Sequence, residues 1–352
     1  MAGLESHTAA VQRVGLVGAG AAGATHLRAL RRLRGVQIVG ILDHDPSRAA
    51  ALAAQFGLPH EIADPDRFYP EAKPQLVHIA TPPDTHETIA MEALEHGAHV
   101  LTEKPPALTV AGCERLQSRA DALKLTIGVN ENTAYDRLIQ KGAQTIAAGQ
   151  LGNVLHIDGV YCFGIEADEL PPGWMRRLPG GMLEDLLPHL IATARALSNR
   201  HLTLSQWHLG SATQVEGEGN DELRLLLTGA TGLTAHLTLS LSARPKAFCF
   251  AVRGTQATLL IDLRNMLFRF VSIQGRNRAI ATAAELTRSA LSMMYQTAGN
   301  AVGMLRGTRE RHGSPFHLFE VHYAALAARR EIPAPLSRSM EAVRIARTIW
   351  PL

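Results

Sequence analysis

The sequence predicts an α/β chain of two domains, a parallel sheet followed by a largely antiparallel one, on three observations. Over the first ~130 residues, short apolar runs alternate with helical patterns, as βαβ units do. Over residues 223–273, apolar residues recur at every second position between closely spaced turns, the mark of an antiparallel sheet with one buried face. The chain has 352 residues, too many for one ordinary core.

The elements follow in order. Residues 14–17 read as the first strand, 21–33 as a helix, and 36–42 as a second strand rich in β-branched residues. Asp45-Pro46 opens the next helix, with Asp45 as cap and Pro46 at a position that loses no N–H bond. Residues 76–80 form a third strand, and Asp84 and Glu87 stand at capping-box spacing after it. Residues 98–101 and 126–129 give two further strands. Past residue 150 the period-two positions are Leu223, Leu225, Leu227; Leu237, Leu239, Leu241; Phe248, Phe250, Val252; and Leu259, Ile261, Leu263. Helical stretches flank them near 184–198 and 282–330.

Composition excludes several functions. Hydrophobic residues make up 46% and charged residues 19% of the chain, which is ordinary for a globular enzyme. A formal net charge of +3 gives no footprint for nucleic acid or a membrane surface. Cys113, Cys162 and Cys249 lie far apart without a C-x-x-C pair, which points to a reducing compartment. Residues 1–12 lack the pattern of a signal peptide, and no apolar run is long enough to span a bilayer. The expectation is a cytoplasmic protein. The 16 histidines include no H-E-x-x-H and no compact ligand cluster, so no metal is expected.

Gly18-Ala19-Gly20-Ala21-Ala22-Gly23 is a G-x-G-x-x-G that follows a strand and opens a helix. In that context the first glycine permits the turn, the second admits a pyrophosphate, and the third brings helix close to strand. The free N–H groups of the helix start then face the phosphates. Asp43 ends the second strand where an acid would bond the ribose hydroxyls of NAD, and His44 follows it instead of the arginine of an NADP site. The expected cofactor is therefore NAD, favoured over NADP although Arg48 is near.

Two segments carry candidate chemistry. Thr102-Glu103-Lys104-Pro105-Pro106 follows the fourth strand, at the sheet edge where ligands gather. That places Lys104 beside a nicotinamide, with Pro105 restricting its backbone and a cis Lys104–Pro105 bond expected. A surface lysine in an ordinary loop is the other reading. In Gly180-Gly181-Met182-Leu183-Glu184-Asp185-Leu186-Leu187-Pro188-His189, Asp185 and His189 share a helix face. Pro188 belongs in a first turn, so the helix is expected to start near Glu184 or Asp185. Asp185 then reads equally as an N-cap, and His189 as a structural histidine.

These residues resemble the Gfo/Idh/MocA family of oxidoreductases over nearly the whole chain. The resemblance rests on Gly18 to Gly23 with His26 after them, Ala80-Thr81-Pro82-Pro83 with His86, Glu103-Lys104-Pro105, and Gly180-Gly181 leading to Asp185 and His189. It implies an N-terminal Rossmann domain at 11–130, with a C-terminal helix at 337–350 packing back on it. It also implies a substrate-binding and oligomerisation domain at 131–336, α+β with an open, largely antiparallel sheet. That sheet would join copies into a homodimer or homotetramer. Thr81, Pro82, His86 and Glu103 would join the cofactor site. Lys104, Asp185 and His189 would flank the hydroxyl being oxidised. Pro188, where a small residue is usual, and a long helical segment at 285–311 depart from the pattern.

Oxidising a secondary alcohol needs a base, for which His189 is suited, with Asp185 orienting its ring and Lys104 stabilising the alkoxide. Asn130, Glu131 and Asn132 follow the fifth strand at the edge that carries Lys104. Tyr161, Trp174, Arg176 and Arg177 lie upstream of the diglycine. Asn130, Asn132, Tyr161, Trp174 and Arg176 are candidate substrate contacts, the last for a carboxylate or phosphate. An exposed loop with ordinary surface charges is the competing reading of 174–177. The leading expectation is a dehydrogenase or reductase for a sugar, cyclitol or nucleotide sugar. The alternatives are an NAD-retaining lyase or hydrolase working by transient oxidation, and a silent NAD-binding sensor.

Overall fold

A computed structural model describes residues 12–59, 64–165, 173–211, 219–272, 278–306 and 314–352. They form two compact units, Met1–Glu131 with Pro315–Val343, and Asn132–Ser314 with Arg344–Leu352.

In the first unit, β1 (Gln12–Val17), α1 (Ala21–Leu30), β2 (Val36–Leu42), α2 (Pro46–Gln55), β3 (Leu76–Ile79), α3 (His86–Glu95), β4 (His99–Thr102), α4 (Val110–Leu123) and β5 (Ile127–Val129) alternate. The strands make one sheet in the order β2-β1-β3-β4-β5, all pairs parallel. Their continuous apolar runs are buried on both faces: Val14, Leu16, Val77, Ile79, Val100 and Val129 are closed to solvent. The order reverses between β1 and β3, and a crevice for ligands lies at the carboxyl ends of strands at such a point. Asp45 accepts the Ser47 N–H at 3.0 Å and caps α2, with Pro46 first in the helix.

The second unit contains α5 (Arg137–Ala147), β6 (Val154–Cys162), α6 (Gly181–Ser198), β7 (Leu202–Gly210), β8 (Glu222–Gly229), β9 (Thr234–Ser240), β10 (Ala247–Gly254), β11 (Thr258–Asp262), β12 (Leu267–Val271) and α7 (Arg278–Leu305). The sheet runs β12-β11-β10-β6-β9-β8-β7, antiparallel except for the parallel pair β6–β9. The period-two residues Leu225, Leu227, Leu237, Leu239, Phe248, Phe250, Leu259 and Ile261 all face its core. Buried Leu187, Leu190, Ile191 and Ala194 of α6 belong to the same unit. Two last helices complete the chain, α8 (Phe316–Ala327) and α9 (Leu336–Ile349). Leu336 and Val343 of α9 join the first unit's core.

Three local expectations are corrected. Asp84 does not stand at the N-cap of α3: Pro83–Thr85 is a single 3-10 turn, α3 begins at His86 with Thr85 at its N-cap, and Glu87 pairs with Arg115 at 2.6 Å. The stretch 282–330 is two helices, α7 and α8, and residues 307–313 between them lie outside the described ones. α6 begins at Gly181, so Pro188 sits well inside it and Asp185 is not its N-cap.

The diglycine explains that early start. A side chain at Gly180 would lie 2.5 Å from the Trp350 ring, and Gly181 takes φ +53°, which favours glycine. The Gly180 N–H donates to Glu184 Oε2 at 2.9 Å, and Glu184 Oε1 accepts from Arg347. A carboxylate one turn in thus holds the helix start from within.

Candidate active site

The glycine loop shows which of its glycines the protein itself requires. Gly18 has φ +104°, and a Cβ there would fall 2.6 Å from the Ala80 carbonyl. At Gly23 a Cβ would fall 2.0 Å from the Gly18 oxygen. At Gly20 it would meet only Arg48 Nη2, at 3.7 Å. No side chain caps the start of α1, where Gly20, Ala21, Ala22 and Gly23 present their backbone. A helix start without a cap, beside a glycine that no protein atom demands, fits the pyrophosphate of a dinucleotide.

Asp43 is drawn into the same loop. Its Oδ2 accepts the Ala19 N–H at 2.7 Å, its Oδ1 accepts the Asp45 N–H at 3.1 Å, and His44 Nδ1 lies 2.8 Å from Oδ1. The side chain is thereby fixed at the end of β2, its charge directed at the glycine loop.

A buried polar chain stands behind Lys104. Glu103 Oε1 lies 2.9 Å from His26 Nε2 and accepts the Asn130 amide at 2.7 Å. His26 Nδ1 lies 3.0 Å from His78 Nδ1, and His78 Nε2 lies 2.8 Å from the Tyr323 hydroxyl. Phe319 meets both imidazoles edge-on, with centroids 5.0 and 4.8 Å away. Burial pushes the Glu103 carboxyl up, but His26, Lys104 and Asn130 together outweigh it and bring the group down to about 2. Glu103 is a fixed negative charge beside Lys104. Burial holds the His78 ring well below its usual range, so it stays neutral.

His86 joins two loops of this unit. Its Nδ1 lies 2.7 Å from the Pro105 carbonyl and its Nε2 2.8 Å from the Thr81 carbonyl. Burial lowers its pKa against those two carbonyls and Glu103. Thr81 Oγ1 accepts from Thr85, whose hydroxyl also lies 2.8 Å from the Pro82 carbonyl. The Lys104–Pro105 bond is cis.

In the second unit, Asp185 is buried on α6 and His189, one turn on, is partly exposed. The His189 carbonyl accepts from Thr193 at 2.7 Å and from Thr133 at 3.4 Å; Asn132, next in sequence, accepts the Thr133 N–H at 2.9 Å. Tyr161 stacks on Phe248 with centroids 4.2 Å apart. Burial, and then the charge of Asp185, push its phenol up to about 12. Met175–Arg177 form a 3-10 turn after a half-buried Trp174, with Arg176 and Arg177 exposed.

Most of the expected residues therefore fall into two groups, one in each unit. Gly18 to Gly23, Asp43, His44, Thr81, Pro82, His86, Glu103 and Lys104 belong to the first; Asn132, Tyr161, Trp174, Arg176, Asp185 and His189 belong to the second. Asn130 is in the first unit, buried, with its amide given to Glu103. The reading missed His78, Phe319 and Tyr323, whose role depends on contacts across more than two hundred residues. A separate group on the second sheet, His156, Asp158 and His236, brings possible ligand atoms within 4.8 Å of one another. Arg253 already pairs with Asp158 there.

Residues 12–131 match the GFO/IDH/MocA oxidoreductase family's NAD-binding Rossmann fold, and residues 139–260 match the GFO/IDH/MocA C-terminal domain. The chain belongs to the GFO/IDH/MocA family. Its first unit is an NAD-binding Rossmann domain, and the glycine loop and Asp43 lie within the matched residues. Among GFO/IDH/MocA relatives, glycosyl hydrolase family 109 protein 2 of Phocaeicola vulgatus is 31% identical over 176 residues, 47% of this chain and 43% of that protein. Levoglucosan dehydrogenase of Pseudarthrobacter phenanthrenivorans is 25% identical over 272 residues, 69% of this chain and 70% of that protein. The chain spans about half the length of several curated relatives it matches. In fold it is similar to an inositol dehydrogenase homolog of Azotobacter vinelandii solved with NADH and myo-inositol, with TM-score 0.70 and 20% identity over 96% of this chain and 94% of that one.

Proposed function

We propose that the chain is an NAD-dependent dehydrogenase or reductase that moves a hydride between the nicotinamide and a secondary hydroxyl or ketone of a sugar, cyclitol or nucleotide sugar. The observation that carries this reading is the anchored Glu103–Lys104 loop at the carboxyl end of β4, in the same unit as a glycine loop shaped for a dinucleotide. NAD, when bound, supplies the hydride acceptor.

The protein's groups then divide the remaining work. His189 takes the hydroxyl proton as general base, and Asp185, on the same face of α6, favours the charged ring that results. Lys104, as ammonium, stabilises the developing alkoxide. Tyr161, with its phenol near 12, stays protonated at neutral pH, so it donates a hydrogen bond and does not act as the base. Asn132 and Trp174 serve as polar and stacking contacts for the substrate, and exposed Arg176 meets an anionic group on it. We place the protein in the cytoplasm, as a homodimer or homotetramer joined through the second unit's sheet. No described helix is long and apolar enough to cross a membrane.

The test is absorbance at 340 nm with NAD⁺ and a panel of polyols, sugars, sugar acids and nucleotide sugars. A rise with one compound, lost in Lys104→Ala and His189→Ala, supports the proposal. Product formation without net NADH would replace it with transient oxidation. Tight NAD binding with no turnover would replace it with a sensor.

A further inference from the structure

Helix α7 carries its polar and apolar faces the opposite way from a helix packed on a sheet by hydrophobic burial. The side chains it buries are polar: Glu285, Ser289 and Asn300 are each less than a tenth exposed. Gln296 accepts the Phe268 N–H at 2.8 Å and donates to the Phe268 carbonyl at 2.9 Å, and Asn300 donates to the carbonyls of Asn265 and Met266, both at 3.0 Å. The helix thus covers the edge of β12 with amide groups that satisfy its backbone.

The opposite face is apolar and open. Leu291, Met294, Tyr295, Val302 and Leu305 are 62%, 70%, 81%, 45% and 87% exposed. At 3.6 residues per turn they lie within an arc of about 100°, with exposed Ala298 on its midline. Residues 289–305 contain no charged side chain. These five side chains present on the order of 700 Å², against about 800 Å² per partner in a standard stable interface.

We propose that this face of α7 packs against the same face of a second copy of the chain, antiparallel, about a twofold axis at Ala298. The spacing of the residues supports that occupant. An axis at Ala298 sets Leu291 opposite Leu305, Met294 opposite Val302, and Tyr295 opposite exposed Ala301, so the largest side chain meets a small one. Two uncharged faces meet there with no ionic group buried. A membrane surface is the less suitable occupant, because interfacial helices carry a basic polar face whereas the polar side chains that α7 buries are a carboxylate, a hydroxyl and amides. This contact is separate from the sheet-mediated assembly proposed above.

The measurement is the mass of the full chain by light scattering and sedimentation at micromolar concentration, for wild type and Ala298→Glu. The substitution puts two carboxylates face to face on the axis while leaving the buried side of α7 intact. The proposal expects the wild-type mass to be halved in the variant, with unchanged circular dichroism. Ala298→Cys should also cross-link copy to copy with a short bis-maleimide, at a yield that the parent chain with its natural cysteines does not reach; this variant decides the matter if Ala298→Glu fails to fold. A monomeric wild type, a mass unchanged by Ala298→Glu, or no cross-link above the parent overturns the proposal. So does flotation of the wild type with phospholipid vesicles that Ala298→Glu abolishes, which assigns the face to a membrane instead.

Discussion

His26 Nε2 and Glu103 Oε1 lie 2.9 Å apart, and the same carboxylate oxygen takes the Asn130 amide at 2.7 Å. Glu103 is fixed from two sides, and Lys104 begins from that fixed point. Glu103→Gln keeps an acceptor for Asn130 but removes the charge beside Lys104. We expect kcat/KM to fall about 10- to 100-fold, the range in which a small misplacement of a reacting group acts, with NADH affinity within about threefold of wild type by fluorescence titration. A lowered urea midpoint with unchanged kcat/KM would leave Glu103 a purely structural role.

Two of the motif glycines, Gly20 and Gly23, are expected to fail differently. A methyl at Gly23 would meet the Gly18 oxygen at 2.0 Å, whereas one at Gly20 meets nothing closer than 3.7 Å. Gly20→Ala should therefore melt within about 2 °C of wild type yet bind NADH at least tenfold more weakly, since about 1.4 kcal/mol is enough for that loss. Gly23→Ala should lower the melting temperature. Differential scanning fluorimetry with an NADH titration separates the two; equal melting and equal binding for both would show that the loop makes no close approach to the cofactor.

Much of the first unit could be read directly because its inner strands are buried on both faces and their runs are mostly apolar. In the second unit, β8 to β11 were legible for the opposite reason, a strict alternation with one buried face. β6 was not: His156, Asp158 and Gly159 interrupt its pattern, although it lies between β10 and β9 in the sheet. Gly159 is required because a side chain there would come within 2.7 Å of Leu237 and Phe250, a constraint visible only after folding.

Asp43 has two duties, and a substitution should separate them. Its carboxylate ties down the Ala19 N–H, and in the proposed function it sets a negative charge at the ribose end of the cofactor site. In Asp43→Ser, NAD⁺ affinity should fall roughly tenfold or more, about the value of one charged hydrogen bond. NADP⁺ affinity should change less or improve, as repulsion of a 2′-phosphate is removed with Arg48 near Gly20. Isothermal titration with both dinucleotides checks this, and a parallel loss for both would assign Asp43 to loop structure alone.

His322 gives the fold a dependence on acid. Its ring is buried over Gly128, and burial, then the charge of His99, bring its pKa down to about 4. The folded value lies below the ordinary 6.5, so the unfolded chain takes up the proton first. The associated stability is complete above about pH 6.5 and is lost as pH falls toward 4, by roughly 3 kcal/mol. His322→Phe, another flat ring, should flatten the fall in melting temperature across that window. Identical pH slopes for the two proteins would contradict the assignment.

The candidate site was legible to the extent that it is local in sequence. The glycine loop, Glu103-Lys104-Pro105, and the Asp185–His189 spacing are each contained in ten residues or fewer. The start of α6 was misplaced because Pro188 alone suggests a first turn. What sets the start instead is Gly180 beneath Trp350 and Glu184 held by Arg347, partners more than 160 residues away.

Those distant partners bear on how the molecule is made. Neither unit is one continuous stretch of chain: the first is completed by Pro315–Val343 and the second by Arg344–Leu352. A gene cut after residue 131 would therefore deprive the first unit of Pro315–Val343, which carries part of its core, and leave that segment on the second fragment. During synthesis, the start of the helix bearing Asp185 and His189 stays without its Trp350 cover until translation has passed residue 350. Folding of that region is bound to wait for a segment made well over a hundred residues later, and chaperone demand should last at least that long.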